Sequence, residues 1–147
     1  MTLEERLSAL VAVPEFRKLP PGARATLAAA MQEEAYHPGE TVVAAGERAD
    51  RVFVLCTGLL EVTLAGRAEV VRRLERGALL GELAFFAGEV RTATVRAAET
   101  SVLLSLPFEN FRAFLLANPE GALILTARIV RTLRELEAEM AALRRRD

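Results

Sequence analysis

Apolar positions change their period twice along the chain, and the two changes divide it into three stretches. In residues 1–31 they fall at helical spacing. Leu3, Leu7, Leu10 and Val11 recur at three- and four-residue steps behind Thr2, whose hydroxyl suits the cap of a first turn. Pro14 stops that helix, Phe16 and Leu19 precede the turn signal Pro20-Pro21-Gly22, and Ala23–Met31 predicts a second helix. From residue 32 to 107 the pattern becomes short β-branched runs: Thr41–Val43, Arg51–Leu55, Leu59–Leu64, Glu69–Leu74, Thr92–Ala97 and Ser101–Leu106. Pro38-Gly39-Glu40, Gly46–Asp50, Thr57-Gly58 and Ala65-Gly66-Arg67 are the corners between them, and seven of the nine glycines lie between Gly39 and Gly88. Short strands with frequent turns predict a sandwich or barrel, and the lack of strand–helix alternation argues against a parallel sheet.

After Pro107 the helical period returns. Phe108, Phe111, Phe114 and Leu115 form an apolar stripe that ends at Asn118-Pro119, and a longer helix is predicted from about Glu120 to Leu143. Within it Ile129, Leu133, Leu136, Met140 and Leu143 step by four and three, the spacing of a coiled-coil seam. Leu123, Ala127 and Val130 make a second stripe near its start. The helix is therefore expected to dock on its own barrel through that stripe and to pair with a second copy through the seam; one wide face packed on the domain is the competing reading. The whole, residues 1–147, reads as one domain: a helical lead-in (1–31), a β-barrel (32–107) and C-terminal helices (108–147).

Composition narrows the function classes. A formal net charge of −1 gives no overall attraction to nucleic acid or anionic lipid, and the three terminal arginines read as solvated surface. One cysteine, Cys56, excludes an intrachain disulfide and suits a reducing compartment. Met1–Arg6 lacks the basic start and apolar run of a signal peptide, and no stretch has the ~18 apolar residues of a membrane span, so a cytoplasmic location is expected. His37 is the single histidine. It cannot supply a metal-binding cluster, and no nucleophile–base pair can be assembled around it or Cys56, so neither a metal site nor an enzyme is expected.

The chemistry concentrates between Leu80 and Arg96. Gly81-Glu82-Leu83-Ala84 combines a small residue and an acid with a helix-forming start, whose free N–H groups would face an anion. Nine residues on, past a turn at Gly88, Arg91 offers a planar fork of donors for two oxygens of one phosphate, and Thr92 adds a hydroxyl. Glu82, an acceptor only, suits a sugar hydroxyl. The plainer alternative is an Arg91 ion pair with Glu82 or Glu89 that only holds the loop.

Two segments together resemble the cyclic nucleotide-binding domain of catabolite activator proteins and of cyclic-nucleotide-dependent kinase regulatory subunits. One is Pro38–Val43 with Gly46-Glu47, Ala49-Asp50, Val52–Leu55, Gly58 and Val62. The other is Gly81–Ala84, Gly88, Arg91–Val95 and Ala97, which is similar to that family's phosphate-binding cassette with its spacing intact. The resemblance implies a mainly β fold, a jelly-roll barrel (double-stranded β-helix) with N-terminal helices and a long C-terminal helix. It implies that Glu82 bonds a ribose 2′-hydroxyl, Arg91 pairs with the cyclic phosphate, the N–H groups around Leu83 and Ala84 add donors, and Thr92 lies by phosphate and base. The ligand would be cyclic AMP or cyclic GMP, with no further cofactor.

The chain departs from that pattern at the base. Leu136 and Glu137 stand where the activators carry a Thr-Ser pair that meets adenine; Thr132 or Thr126 is the possible substitute, and Thr92 is also what cyclic-GMP-selective kinase sites carry. Family transcription factors continue into a helix-turn-helix domain, whereas this sequence ends at Arg144-Arg145-Arg146-Asp147, so direct contact with nucleic acid is not expected. Two readings follow. One is a dimeric cyclic-nucleotide sensor that signals to a separate protein. The other is a degenerate domain that keeps the fold as a dimerisation or scaffold module.

Overall fold

The computed structural model describes residues 1–88 and 90–146; Glu89 and Asp147, and with Glu89 one of the alternative partners of Arg91, lie outside them. Thr2 caps the first helix as its position predicts. Its hydroxyl accepts from the Glu5 N–H while the Glu5 carboxylate accepts from the Thr2 N–H, both at 3.1 Å, at the start of α1 (Leu3–Val11). Pro14 ends α1 and opens a 3-10 helix, Pro14–Lys18, before α2 (Pro21–Ala30). Arg6 reaches from α1 to the carbonyls of Ala28 and Met31, which stitches the two lead-in helices together at the end of α2.

Eight strands follow: β1 (Gln32–Tyr36), β2 (Thr41–Val43), β3 (Arg51–Thr57), β4 (Leu60–Leu64), β5 (Val70–Leu74), β6 (Leu79–Leu80), β7 (Ala93–Ala97) and β8 (Ser101–Pro107). They form two antiparallel four-stranded sheets, ordered β1-β8-β3-β6 and β2-β7-β4-β5. With the flanking helices this is the sandwich or barrel that the turn-bounded runs predict, and the jelly-roll class that the resemblance implies. β1 and β6 are additions to the sequence reading. β1 carries Gln32, Glu33 and Glu34 and is held by five register pairs with β8, and β6 is two residues long; neither displays the apolar alternation by which strands are recognised.

β3 explains how one barrel supports two cores. All five residues from Val52 to Cys56 are buried, so the strand has no solvent face. Phe53 and Leu55 point between the sheets toward Val42, Leu60, Val95, Ala97 and Leu103. Val52, Val54 and Cys56 point the other way, with Leu104 and Leu106, into a core completed by the helices. That helical layer contains α4 (Phe108–Ala117), which buries Phe111, Phe114 and Leu115 as predicted, and α5 (Pro119–Arg146). Between β6 and β7 the chain makes the short helix α3 (Glu82–Ala87).

The docking face of α5 corrects the sequence reading. Leu123 is 72% exposed and Val130 40%, with Ala127 exposed as well, so this stripe faces solvent. The buried positions are Gly121 and Leu125, flanked by half-buried Ala122, Ile124 and Arg128. Gly121 lets the helix approach closely: a Cβ there would stand 3.3 Å from Leu115 and 3.4 Å from Leu19. A glycine and a charged residue occupy this face, so it contributes little to an apolar count. Beyond Thr132 the helix runs out from the barrel, with Leu133, Leu136 and Met140 each at least half exposed. No single helix is long and apolar enough to cross a membrane among the described residues.

Candidate functional site

Gly81 is the pivot of the predicted cassette. It caps α3 with φ +92°, a backbone that other residues adopt only with strain, and a Cβ would stand 2.7 Å from the Arg51 carbonyl oxygen and 3.2 Å from Arg91 Nη1. The first helical bond runs from the Phe85 N–H to the Gly81 carbonyl at 3.0 Å, so the N–H groups of Leu83 and Ala84 precede the intrahelical ladder. Gly88, with φ +69°, ends the helix, and its N–H donates to the Ala84 carbonyl at 2.8 Å.

Arg91 is fixed at both its backbone and its side chain. Its N–H donates to the Glu47 carbonyl at 2.8 Å and its carbonyl accepts from the Gly46 N–H at 2.9 Å, so the corner predicted at Gly46–Asp50 anchors it. Nη2 donates to the Arg51 carbonyl at 2.9 Å, and the guanidinium stands 5.9 Å from the Phe53 ring centroid, with the Arg51 guanidinium 4.9 Å from the same ring. Burial lowers the Arg91 pKa below its ordinary value, opposed chiefly by Asp50. Among the described residues no carboxylate lies within ion-pair distance of it, which removes Glu82 as its salt-bridge partner.

An open pocket of about 310 Å³ lies in front of these groups. Gly81, Leu83, Ala84, Arg91 and Thr92 line it together with Val43, Leu80, Ala87, Val90, Ala93 and Val95. Arg91 is the one charged side chain on that wall among the described residues. A partly desolvated cation beside helix N–H groups that precede the intrahelical ladder is suited to one compact anion, and the apolar remainder suits a flat or hydrocarbon-like body.

Glu82 is not among the lining residues, although its neighbours Gly81 and Leu83 are, and it belongs to a second constellation. It is 7% exposed, and its Oε1 accepts from Arg128 Nε of α5 at 3.3 Å. Arg128 Nη1 donates at 2.9 Å to a second buried carboxylate, Glu15 of the 3-10 helix, which is 6% exposed and takes Arg131 Nη2 at 3.5 Å on its other oxygen. Burial raises the Glu82 pKa above the usual carboxylate value, and the Arg128 charge works against that. Sequence reading found Glu82 but neither Glu15 nor Arg128. The signal available was a lone arginine seven residues after Gly121 on the otherwise apolar docking face of α5.

The residues considered for a base contact lie elsewhere. Thr132 is half-buried and its hydroxyl donates to the Arg128 carbonyl at 3.1 Å; Thr126 donates likewise to Ala122 at 2.7 Å; Leu136 is 50% exposed. None of the three lines the pocket.

The model of the cyclic nucleotide-binding domain matches residues 33–118, well over half of the chain. The chain belongs to the cyclic nucleotide-binding domain family. It is 36% identical over 113 residues to a cyclic nucleotide-gated potassium channel of Mesorhizobium japonicum, covering 77% of this chain and 31% of the channel. It is 40% identical over 91 residues to a cAMP-dependent protein kinase regulatory subunit of Mycosarcoma maydis, covering 60% and 17%. Among solved structures, the Thermus thermophilus catabolite activator protein superposes with a TM-score of 0.80 at 26% identity, over 88% of this chain and 62% of that one. The N-terminal domain of a Streptomyces coelicolor transcriptional regulator superposes at 0.73 with 30% identity, over 88% and 92%. This cyclic nucleotide-binding domain thus spans less than a third of the two curated relatives. The matched segment holds the whole pocket wall and Glu82 and ends before Arg128, Thr132 and the seam.

Proposed function

We propose that this domain binds a cyclic nucleotide, cyclic AMP or cyclic GMP, as a cytoplasmic homodimeric sensor that passes the signal to a separate protein rather than catalysing a reaction. Arg91 carries the reading. It is a half-buried guanidinium and, among the described residues, the one charged side chain on a pocket wall whose helix N–H groups add to the field, and a singly charged cyclic phosphate matches that inventory without a metal or a second cation. In this reading Arg91 takes the phosphate, Leu83 and Ala84 add backbone donors, Thr92 stands by phosphate and base, and Glu82 accepts from the ribose 2′-hydroxyl. Occupancy is felt by α5 because Glu82 is tied to Arg128, and the seam Ile129, Leu133, Leu136, Met140 and Leu143 carries the change to the second copy and to the partner.

The test is thermal melting and calorimetry with cyclic AMP and cyclic GMP on wild type and Arg91→Gln. A ligand that binds only the folded state stabilises it by ~2.7 kcal/mol at one hundred times its dissociation constant. Wild type is expected to show that shift with at least one nucleotide and Arg91→Gln to lose it while melting near wild type without ligand. If neither nucleotide moves the wild-type melt at millimolar concentration, the sensor reading falls and the scaffold reading takes its place.

A further inference from the structure

Two carboxylates from distant parts of the chain share one guanidinium. Glu15 arrives on the 3-10 helix, Glu82 on α3 and Arg128 on α5, and all three side chains are largely withdrawn from water, at 8%, 9% and 23% exposure. Arg128 divides its donors between them, Nε to Glu82 Oε1 at 3.3 Å and Nη1 to Glu15 Oε2 at 2.9 Å. The shorter contact is to Glu15. Arg128 therefore meets Glu82 edge-on through one nitrogen, where an arginine facing a lone carboxylate favours two parallel bonds to both oxygens.

We infer that Glu15 is a positioning residue for ribose recognition: by holding the far side of Arg128 it confines that guanidinium to Oε1 of Glu82 and keeps Oε2 available to a sugar hydroxyl. The inference rests on the cyclic-nucleotide reading above and adds a residue to it from the lead-in. Glu15 touches no ligand. Its carboxylate sets which of its neighbour's oxygens is spent on the protein. With Glu15 neutral, Arg128 keeps its charge and Glu82 becomes its one buried anion; the fork then closes on both Glu82 oxygens and the hydroxyl loses its acceptor. Arg131, 59% exposed and 3.5 Å from Glu15, is too solvated to replace either contact.

The reporter is the preference for cyclic AMP over 2′-deoxy-cyclic AMP, measured by calorimetry on the full chain. A hydrogen bond to a charged acceptor predicts a preference of about tenfold or more in wild type. Glu15→Gln, which keeps the shape and an acceptor oxygen, is expected to lower that ratio to within about threefold of unity by weakening cyclic AMP alone, and Glu15→Asp to retain part of it. A structural defect would weaken both ligands together. Hence a Glu15→Gln protein whose ratio stays at the wild-type value, whether or not both affinities fall, overturns the inference and leaves the cyclic-nucleotide reading standing. Should Glu15→Gln fail to fold, Glu15→Asp decides in the same way, an unchanged ratio refuting and a reduced one supporting. Wild type that binds neither nucleotide overturns both.

Discussion

Tyr36 shows how partial burial, joined by one polar contact, affects stability at one end of the pH range. Its hydroxyl donates to Glu34 Oε1 at 2.7 Å, and Glu34 Oε2 takes Arg51 Nη1 at 2.6 Å. Burial, and then the Glu34 acceptor, push the phenol from 10 up to about 12. A group whose folded pKa is raised adds stability that is fully present below the unfolded value and is lost as pH rises through the folded one. The Tyr36 contribution is thus complete below pH 10 and disappears between 10 and about 12. Two units are worth ~2.7 kcal/mol at face value, reduced to about 1 kcal/mol because the residue is only partly buried and solvent screens it. Urea denaturation from pH 9 to 12 should show wild type losing more stability across this window than Tyr36→Phe; equal slopes would remove Tyr36 as the cause. At this scale the sequence exposes some residues and hides others. Glu82 and Arg91 are legible because a fixed spacing beside glycines marks them. Glu15 and Arg128, 113 residues apart and joined at 2.9 Å, form no local pattern, and only the fold brings them together.

At the scale of elements, α5 is where physical reading of the chain went furthest and was corrected. Its length and the strands around the cassette follow from period and turn chemistry. Its docking face does not, because Gly121 permits close approach without adding apolar area and Arg128 is buried by pairing rather than by hydrophobicity. β1 stayed hidden for a related reason: it is held by ladder pairing to β8, which requires no apolar alternation. The corrected face makes a direct prediction. Leu125 is 2% exposed and belongs to the helical core, so Leu125→Ala should cost roughly 2–4 kcal/mol by lost burial plus cavity. Leu123→Ala, at a position 72% exposed, should stay within about 0.5 kcal/mol. Chemical denaturation of the two variants checks the pair, and a larger loss at Leu123 would restore the stripe read from sequence.

For the whole molecule, the division of α5 into a docked start and a projecting end matters most. The start is bound into the core and into the Glu15–Arg128–Glu82 triad, which ties it to α3 and to the lead-in. That far end carries Leu133 at 54%, Leu136 at 50%, Met140 at 53% and Leu143 at 58% exposure, in steps of three and four. A regular apolar column open to water over three turns is costly for an isolated helix and is what a partner helix would cover. Charge placed at its centre is the sharpest probe, because Leu133 is 54% exposed and contributes little to the fold of one protomer, whereas in a seam the carboxylate of a glutamate there would be desolvated against a second copy. Leu133→Glu should therefore melt as wild type does at low concentration yet sediment as a monomer under conditions where the proposed seam predicts a wild-type dimer. An unchanged sedimentation coefficient would count against a coiled-coil dimer through this column.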